Sequence, residues 1–287
     1  MISLERFPSQ VTLDKFLIVP ENFSSHDWFL SLLQKSHPAL DAGDKYLTLS
    51  FFLNGSSQVD KSLLAAYRDL NPETLSKLEA SFRLTNVQLI CPEIKTICRE
   101  LYQQSGTAVT CNLYFTPRKK VNCFDYHADM QQSLIVQLQG SKNWSFPLEN
   151  NEALRTVKFY DQLVLPENLT YRQLQLQPAS QLFVPFGIVH KAELEGKQFS
   201  LHLTFAFHTF MISDFWDAYL REAMASKNVA SIMNEDLSRV SPEQALSQLF
   251  DHLQSMQREE FLAKFEEKKA EFTLKTLKQG RLYRINS

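Results

Sequence analysis

Hydrophobic and polar positions change their period twice along this chain. Over the first hundred residues, helix and strand patterns alternate. Ser24 and Ser25 precede an apolar-periodic run ending near Gln34, which predicts a capped helix, and Asn71-Pro72-Glu73 offers an N-cap with proline at the first helical position. Between them, Tyr46 to Leu53 is rich in strand formers and stops at the turn signal Asn54-Gly55. From Pro92 to Gln104, Ile94, Ile97, Cys98 and Leu101 fall on one helical face, with Gly106 as a C-terminal stop. A helix packed on a sheet is expected here.

From Thr107 to Phe207 the period shortens to two. About eight short strand-like runs are separated by turn residues, which predicts a sandwich or barrel. The last run is the clearest: Phe199, Leu201, Leu203, Phe205 and Phe207 alternate with Ser200, His202, Thr204, Ala206 and His208. The apolar face must pack against another layer. The small polar face either meets solvent or lines a barrel that holds a polar ligand, and periodicity alone does not choose.

After about His208 the helical period returns. Asp214 to Ala225 reads as helix, Ser241-Pro242-Glu243-Gln244 is a capping box, and Arg258 to Leu277 is a charged helix with Phe261, Phe265 and Phe272 among its apolar positions. The expected division is a β-rich domain over residues 1–208 and a helical region over 209–287 that joins two copies as a homodimer.

Composition narrows the functional classes. The 287 residues are 44% apolar and 22% charged, as in ordinary folded proteins. A formal charge of −2 gives no general attraction to nucleic acid or anionic lipid, and the mild basic bias from Lys264 to Arg284 reads as a solvated helix face. Met1 to Phe16 lacks an uninterrupted apolar stretch, and no segment approaches the roughly eighteen apolar residues of a membrane span. A cytoplasmic protein is expected. Cys91, Cys98, Cys111 and Cys123 fit neither zinc-knuckle spacing nor a secreted disulfide framework, and read as reduced thiols.

The candidate chemistry lies in the β-rich segment. His127-Ala128-Asp129 puts two ligand side chains on one face of an extended strand, and His190 follows sixty-three residues after His127, behind a glycine-containing turn. Two imidazoles and one carboxylate on one face of an octahedral ion leave positions open for co-substrate and oxygen, the arrangement of non-haem Fe(II); zinc prefers a closed tetrahedron. Lys142 sits in Gly140-Ser141-Lys142-Asn143-Trp144, a turn into a strand. Inside a barrel its ammonium calls for an anion, and on a hairpin it points to water. Asn112 and Tyr114 share one strand face just before the metal motif.

With these residues in place, the chain resembles the JmjC-type cupin oxygenases, in the branch that includes the ribosomal oxygenases. The resemblance runs through Cys91-Pro92-Glu93-Ile94, Asn112-Leu113-Tyr114-Phe115-Thr116-Pro117, His127-Ala128-Asp129, Gln137 to Trp144, Val184 to His190 and Ser200-Leu201-His202-Leu203-Thr204, covering roughly residues 82–208. It implies a double-stranded β-helix with N-terminal α/β elements, with Fe(II) on His127, Asp129 and His190 and 2-oxoglutarate chelating the metal. Lys142 is then the partner of the distal carboxylate, helped by Tyr114, while Asn112 and Ser200 or Thr204 complete the pocket. The chain departs from the family in Arg118 to Tyr126, where glycines and a proline are usual, and in Ala179-Ser180-Gln181 ahead of the third histidine's strand. The residues after His208 suffice for the family's helical dimerisation region but not for its winged-helix domain as well.

The implied function is an Fe(II)- and 2-oxoglutarate-dependent dioxygenase hydroxylating a protein side chain, a ribosomal protein among the candidates. The alternatives are oxidation of a small metabolite or peptide natural product, a zinc cupin isomerase or hydrolase, and a cupin without turnover that serves as a binding module.

Overall fold

The structure, a computed structural model, describes residues 19–53, 56–58, 61–118, 124–129, 131–148, 169–195, 199–210, 214–216, 247 and 258–279. The Asn54-Gly55 turn, the capping box at Ser241, the helix expected beyond Trp216 and Cys123 lie outside these residues. Two compact units emerge, Met1–His208 with Leu277–Ser287, and Thr209–Thr276.

In the first unit, α1 (His26–Asp41) starts where Ser25 accepts a hydrogen bond from the Trp28 backbone N–H at 3.1 Å. It runs past Gln34 and through Pro38, because its last turn is held from outside: the buried Ser36 hydroxyl bonds the Tyr67 hydroxyl at 2.7 Å. Tyr67 belongs to α2 (Lys61–Arg68), an eight-residue helix for which the sequence carried no clear signal. At Asn71 the cap forms without its helix. The Asn71 carboxamide accepts from the Glu73 and Thr74 N–H groups, yet only one 3-10 turn follows, Leu75–Lys77, since the chain must reach a strand at Ser81. Likewise, Asp44 ties the Tyr46 and Leu47 N–H groups into a turn, so the strand expected from Tyr46 begins at Leu49. α3 (Pro92–Ser105) matches its pattern: Ile94, Ile97, Cys98 and Leu101 are buried, and Gly106 at φ 67° closes it, bonding the Tyr102 carbonyl at 2.8 Å.

The strands are β1 (Leu49–Leu53), β2 (Ser56–Gln58), β3 (Ser81–Leu84), β4 (Ala108–Thr116), β5 (His127–Ala128), β6 (Gln132–Gln139), β7 (Ser141–Pro147), β8 (Tyr171–Leu176), β9 (Gln181–Val184), β10 (Val189–Glu195) and β11 (Ser200–His208). They form two antiparallel sheets, ordered β2-β1-β3-β4-β11-β6-β9 and β5-β10-β7-β8. The eight strands from β4 onward contribute four to each sheet and make the double-stranded β-helix; β1 to β3 extend the larger sheet beyond it.

β11 shows why the sheets face as they do. Leu201, Leu203, Phe205 and Phe207 are wholly buried in one core with α1 and α3 residues such as Phe29, Leu32, Ile94 and Leu101. Each such side chain contributes about 1.5–3 kcal/mol relative to exposure. The opposite face turns inward, with Ser200, His202, Thr204 and Ala206 all buried. A second core of Ile135, Trp144, Phe146, Leu176, Leu182, Val184 and Ile188 joins the two sheets. The polar half of the period thus belongs to the barrel interior.

Gly140, at φ 63°, makes the turn from β6 into β7, and a Cβ there would collide with the Phe199 carbonyl oxygen. Gly140→Ala combines positive-φ strain with backbone overlap and is expected to cost about 2–4 kcal/mol. Thermal or denaturant unfolding checks this; an unchanged midpoint would refute it.

The second unit contains Phe210, Phe215 and α4 (Arg258–Gln279) as far as Thr276. Phe210 lies 5.4 Å from both the Phe265 and Phe272 rings, and Phe215 lies 5.3 Å from Phe265. Cys91, Cys98 and Cys111 are buried free thiols, and burial pushes Cys91 up to about 11, which makes it inert as a nucleophile. Among the described residues, no helix is long and apolar enough to cross a membrane.

Candidate active site

The two histidines are brought together by backbone pairing. β5 pairs with β10 so that His127 lies opposite His190, and their rings are 4.4 Å apart. Gly187, at φ 72°, makes the turn into β10, and its N–H bonds the Asp129 carbonyl at 3.1 Å, which anchors the third residue to the same turn. The Asp129 carboxylate oxygens stand 3.9 Å from the Nε2 atoms of His127 and His190, and the three ligand atoms fall within 4.8 Å of one another.

Each imidazole is oriented from behind. His127 Nδ1 donates to the Asp125 carbonyl at 2.7 Å and His190 Nδ1 donates to the Ile188 carbonyl at 2.8 Å. A ring that donates from Nδ1 and is neutral presents a bare Nε2 lone pair, the state a metal ligand requires. Burial, then the nearby His127, lowers His190 to about 4, so it is neutral at physiological pH.

The backing of His127 has its own support. Lys191, next to His190 in sequence, reaches the Asp125 carboxylate at 3.1 Å and the Glu193 carboxylate at 3.4 Å, and lies 5.5 Å over the Tyr126 ring. It therefore clamps the segment that orients His127 onto β10. Lys191→Met is expected to weaken Fe(II) binding by about tenfold, as substitutions behind metal ligands do. Anaerobic metal titration checks this, and unchanged affinity would show that the segment holds itself.

The three residues open onto a cavity that is continuous with solvent. Lys142, only 2% exposed, lines it from β7, with Tyr114 on β4 and Thr204 on β11. Asn112 and Ser200 are not on its wall. Asn112 Oδ1 accepts the Asn86 N–H at 3.1 Å, and Ser200 Oγ accepts from Gln137 Nε2 at 2.8 Å, so both are bonded to the walls from behind.

Two residues not singled out from the sequence also shape the cavity. His202 stacks on Tyr114 at 4.9 Å with 6° between planes, and burial followed by the Lys142 charge holds it well below the usual histidine range. Trp144 stacks against His190 at 5.5 Å. Both were legible as same-face neighbours at spacing two: His202 beside Thr204, Trp144 beside Lys142.

Comparison with known proteins agrees with this geometry. A family profile described as JmjC domain matches residues 83–215. Ribosomal oxygenase 1 of Rattus norvegicus is 31% identical over 156 residues, covering 53% of this chain and 26% of the rat protein. The bifunctional lysine-specific demethylase and histidyl-hydroxylase NO66 of Brugia malayi is 30% identical over 133 residues, covering 45% and 18%. The matched regions thus span about a quarter or less of these relatives. Among solved structures, Escherichia coli ycfD superposes with a TM-score of 0.52 at 14% identity, covering 87% of this chain and 64% of that one, a likeness of fold. Over residues 83–215, the chain carries a JmjC domain built on the double-stranded β-helix of the cupins.

Proposed function

We propose that this protein is an Fe(II)- and 2-oxoglutarate-dependent oxygenase that hydroxylates a protein side chain. The observation that carries the reading is the convergence of His127, Asp129 and His190 on one point of a cavity whose wall also holds the buried ammonium of Lys142. The donor set fits the ion: two imidazoles and one carboxylate, gathered on one side, suit an octahedral metal that keeps open positions. The lysine fits the co-substrate, because a desolvated cation attracts a carboxylate strongly.

His127, Asp129 and His190 would hold Fe(II), and Lys142, with the Tyr114 and Thr204 hydroxyls as donors, would hold the distal carboxylate of 2-oxoglutarate. The bound metal, with 2-oxoglutarate and oxygen, supplies oxidation of a C–H bond. This chain's residues do the rest. Lys142 sets the direction in which the co-substrate lies, while Trp144 and Ile135 keep the wall apolar and limit water. His202, held neutral, adds no second positive charge beside Lys142. The relatives' names, ribosomal oxygenase and histidyl-hydroxylase, support a protein substrate, and action in the cytoplasm is part of the proposed reading.

The test is anaerobic titration of apoprotein with Fe(II) and then 2-oxoglutarate. A visible metal-to-ligand charge-transfer band is expected. Fe(II) binding without the band, or no binding, would sink the reading in favour of a cupin that serves only as a binding module.

The proposal includes a division at His208 and self-association through the helical region, supported by the exposed Leu262 and Leu274 on α4. Light scattering across a concentration series is expected to report a dimer; a monomer throughout would refute it.

A further inference from the structure

β3 continues the cavity-bearing sheet outside the β-helix, and Arg83 on it lies directly across from Tyr114, which in turn lies across from His202. Opposed residues on paired strands share a face, so Arg83 rises on the side of the sheet that carries the cavity residues. Its guanidinium carbon is 5.7 Å from the Phe52 ring and 5.7 Å from the Phe124 ring, and those rings are 4.7 Å apart. Phe124 lines the cavity and is 5.0 Å from the His127 ring. One aromatic ring therefore separates this cation from a metal ligand.

Two rings fix the guanidinium in place without neutralising it. Among the described residues no carboxylate pairs with Arg83, whereas Arg68 has Asp41 and Lys191 has Asp125 and Glu193. Its Nε is buried with no acceptor. A desolvated donor carrying charge favours an incoming acceptor, and the planar guanidinium matches a carboxylate in particular.

We propose that Arg83, braced by Phe52 and Phe124, is a recognition site for an acidic side chain close in sequence to the oxidised residue of a peptide substrate. The inference rests on the protein-hydroxylase reading and names its substrate class. Arg83 is not on the cavity wall, so the carboxylate it binds is carried by the substrate chain outside the cavity rather than by the oxidised residue. The co-substrate's carboxylate goes to Lys142 on the cavity wall. A segment bearing lysine or arginine at the flanking position is repelled.

The test uses protein loaded anaerobically with Fe(II) and 2-oxoglutarate, so that binding proceeds without turnover. Fluorescent decapeptide pools, randomised except for two fixed glutamates, two fixed glutamines or two fixed lysines, are compared by anisotropy. Wild type is expected to bind the glutamate pool about tenfold or more tighter than the glutamine pool, one charged pair's worth. General electrostatics would not produce this in a chain of net charge −2. Arg83→Gln removes the preference and Arg83→Glu turns it toward the lysine pool, a reversal that a merely structural arginine would not give. Should Arg83→Glu fail to fold, Arg83→Gln decides. Equal binding of the pools by wild type that shows the charge-transfer band, or a glutamate preference surviving in the folded variants, overturns the proposal alone. Absence of the band in wild type overturns the oxygenase reading and this inference with it.

Discussion

Asp129→Ala is expected to abolish turnover and the charge-transfer band together, while the protein keeps its fold. The two halves of that expectation have separate causes. Asp129 supplies the one anionic ligand, 3.9 Å from each Nε2, and without it only the two imidazoles remain. Changes behind a metal ligand already cost about 10–100-fold, so loss of a ligand should exceed that range. The backbone is spared, because the Gly187 N–H bonds the Asp129 carbonyl, which alanine retains, and the carboxylate is partly open to water. A change of stability of at most about 0.5 kcal/mol is expected. Anaerobic titration beside thermal unfolding separates the effects, and full activity in the variant would remove Asp129 from the metal site.

Lys142→Ala should raise the 2-oxoglutarate requirement far more than it changes Fe(II) affinity. Removing one member of a buried charge pair typically costs about 3–5 kcal/mol, or roughly a hundredfold to several-thousandfold in affinity. Lys142 lies two positions before Trp144 on β7 and is not a ligand, so the metal affinity should hold within a few-fold. Lys142→Met, which keeps the apolar stem, separates lost charge from lost packing. Co-substrate titration at saturating metal reads the difference, and equal 2-oxoglutarate affinity in the three proteins would remove Lys142 from the site.

What the sequence disclosed depended on the range of the interactions involved. The alternation of β11 announced both its buried face and its polar one, because period two is a local property. Choosing between solvent and barrel interior required the second sheet. His127, Asp129 and His190 were legible as a set, though the strand holding the first is two residues long and the meeting of the rings depends on its register with β10. Asn112 and Ser200 share strand faces with pocket residues, yet partners remote in sequence, Asn86 and Gln137, draw them into the walls. The same reason explains α1, which a bond from Ser36 to Tyr67 carries past its expected end, and Asn71, whose cap was correct and whose helix had no room. Arg83 carried no signal, since its significance comes from rings at positions 52 and 124.

The place of β11 between β4 and β6 bears on how the protein is made. Its nine residues all pair with β4, and Leu201 to Phe207 also pair with β6, so neither β4 nor β6 has its central partner until β11 has left the ribosome. Until then two apolar strand edges stand open, and pairings this distant in sequence form slowly. Nascent chains stalled short of β11 should therefore be the species that chaperones hold and that aggregates when they do not.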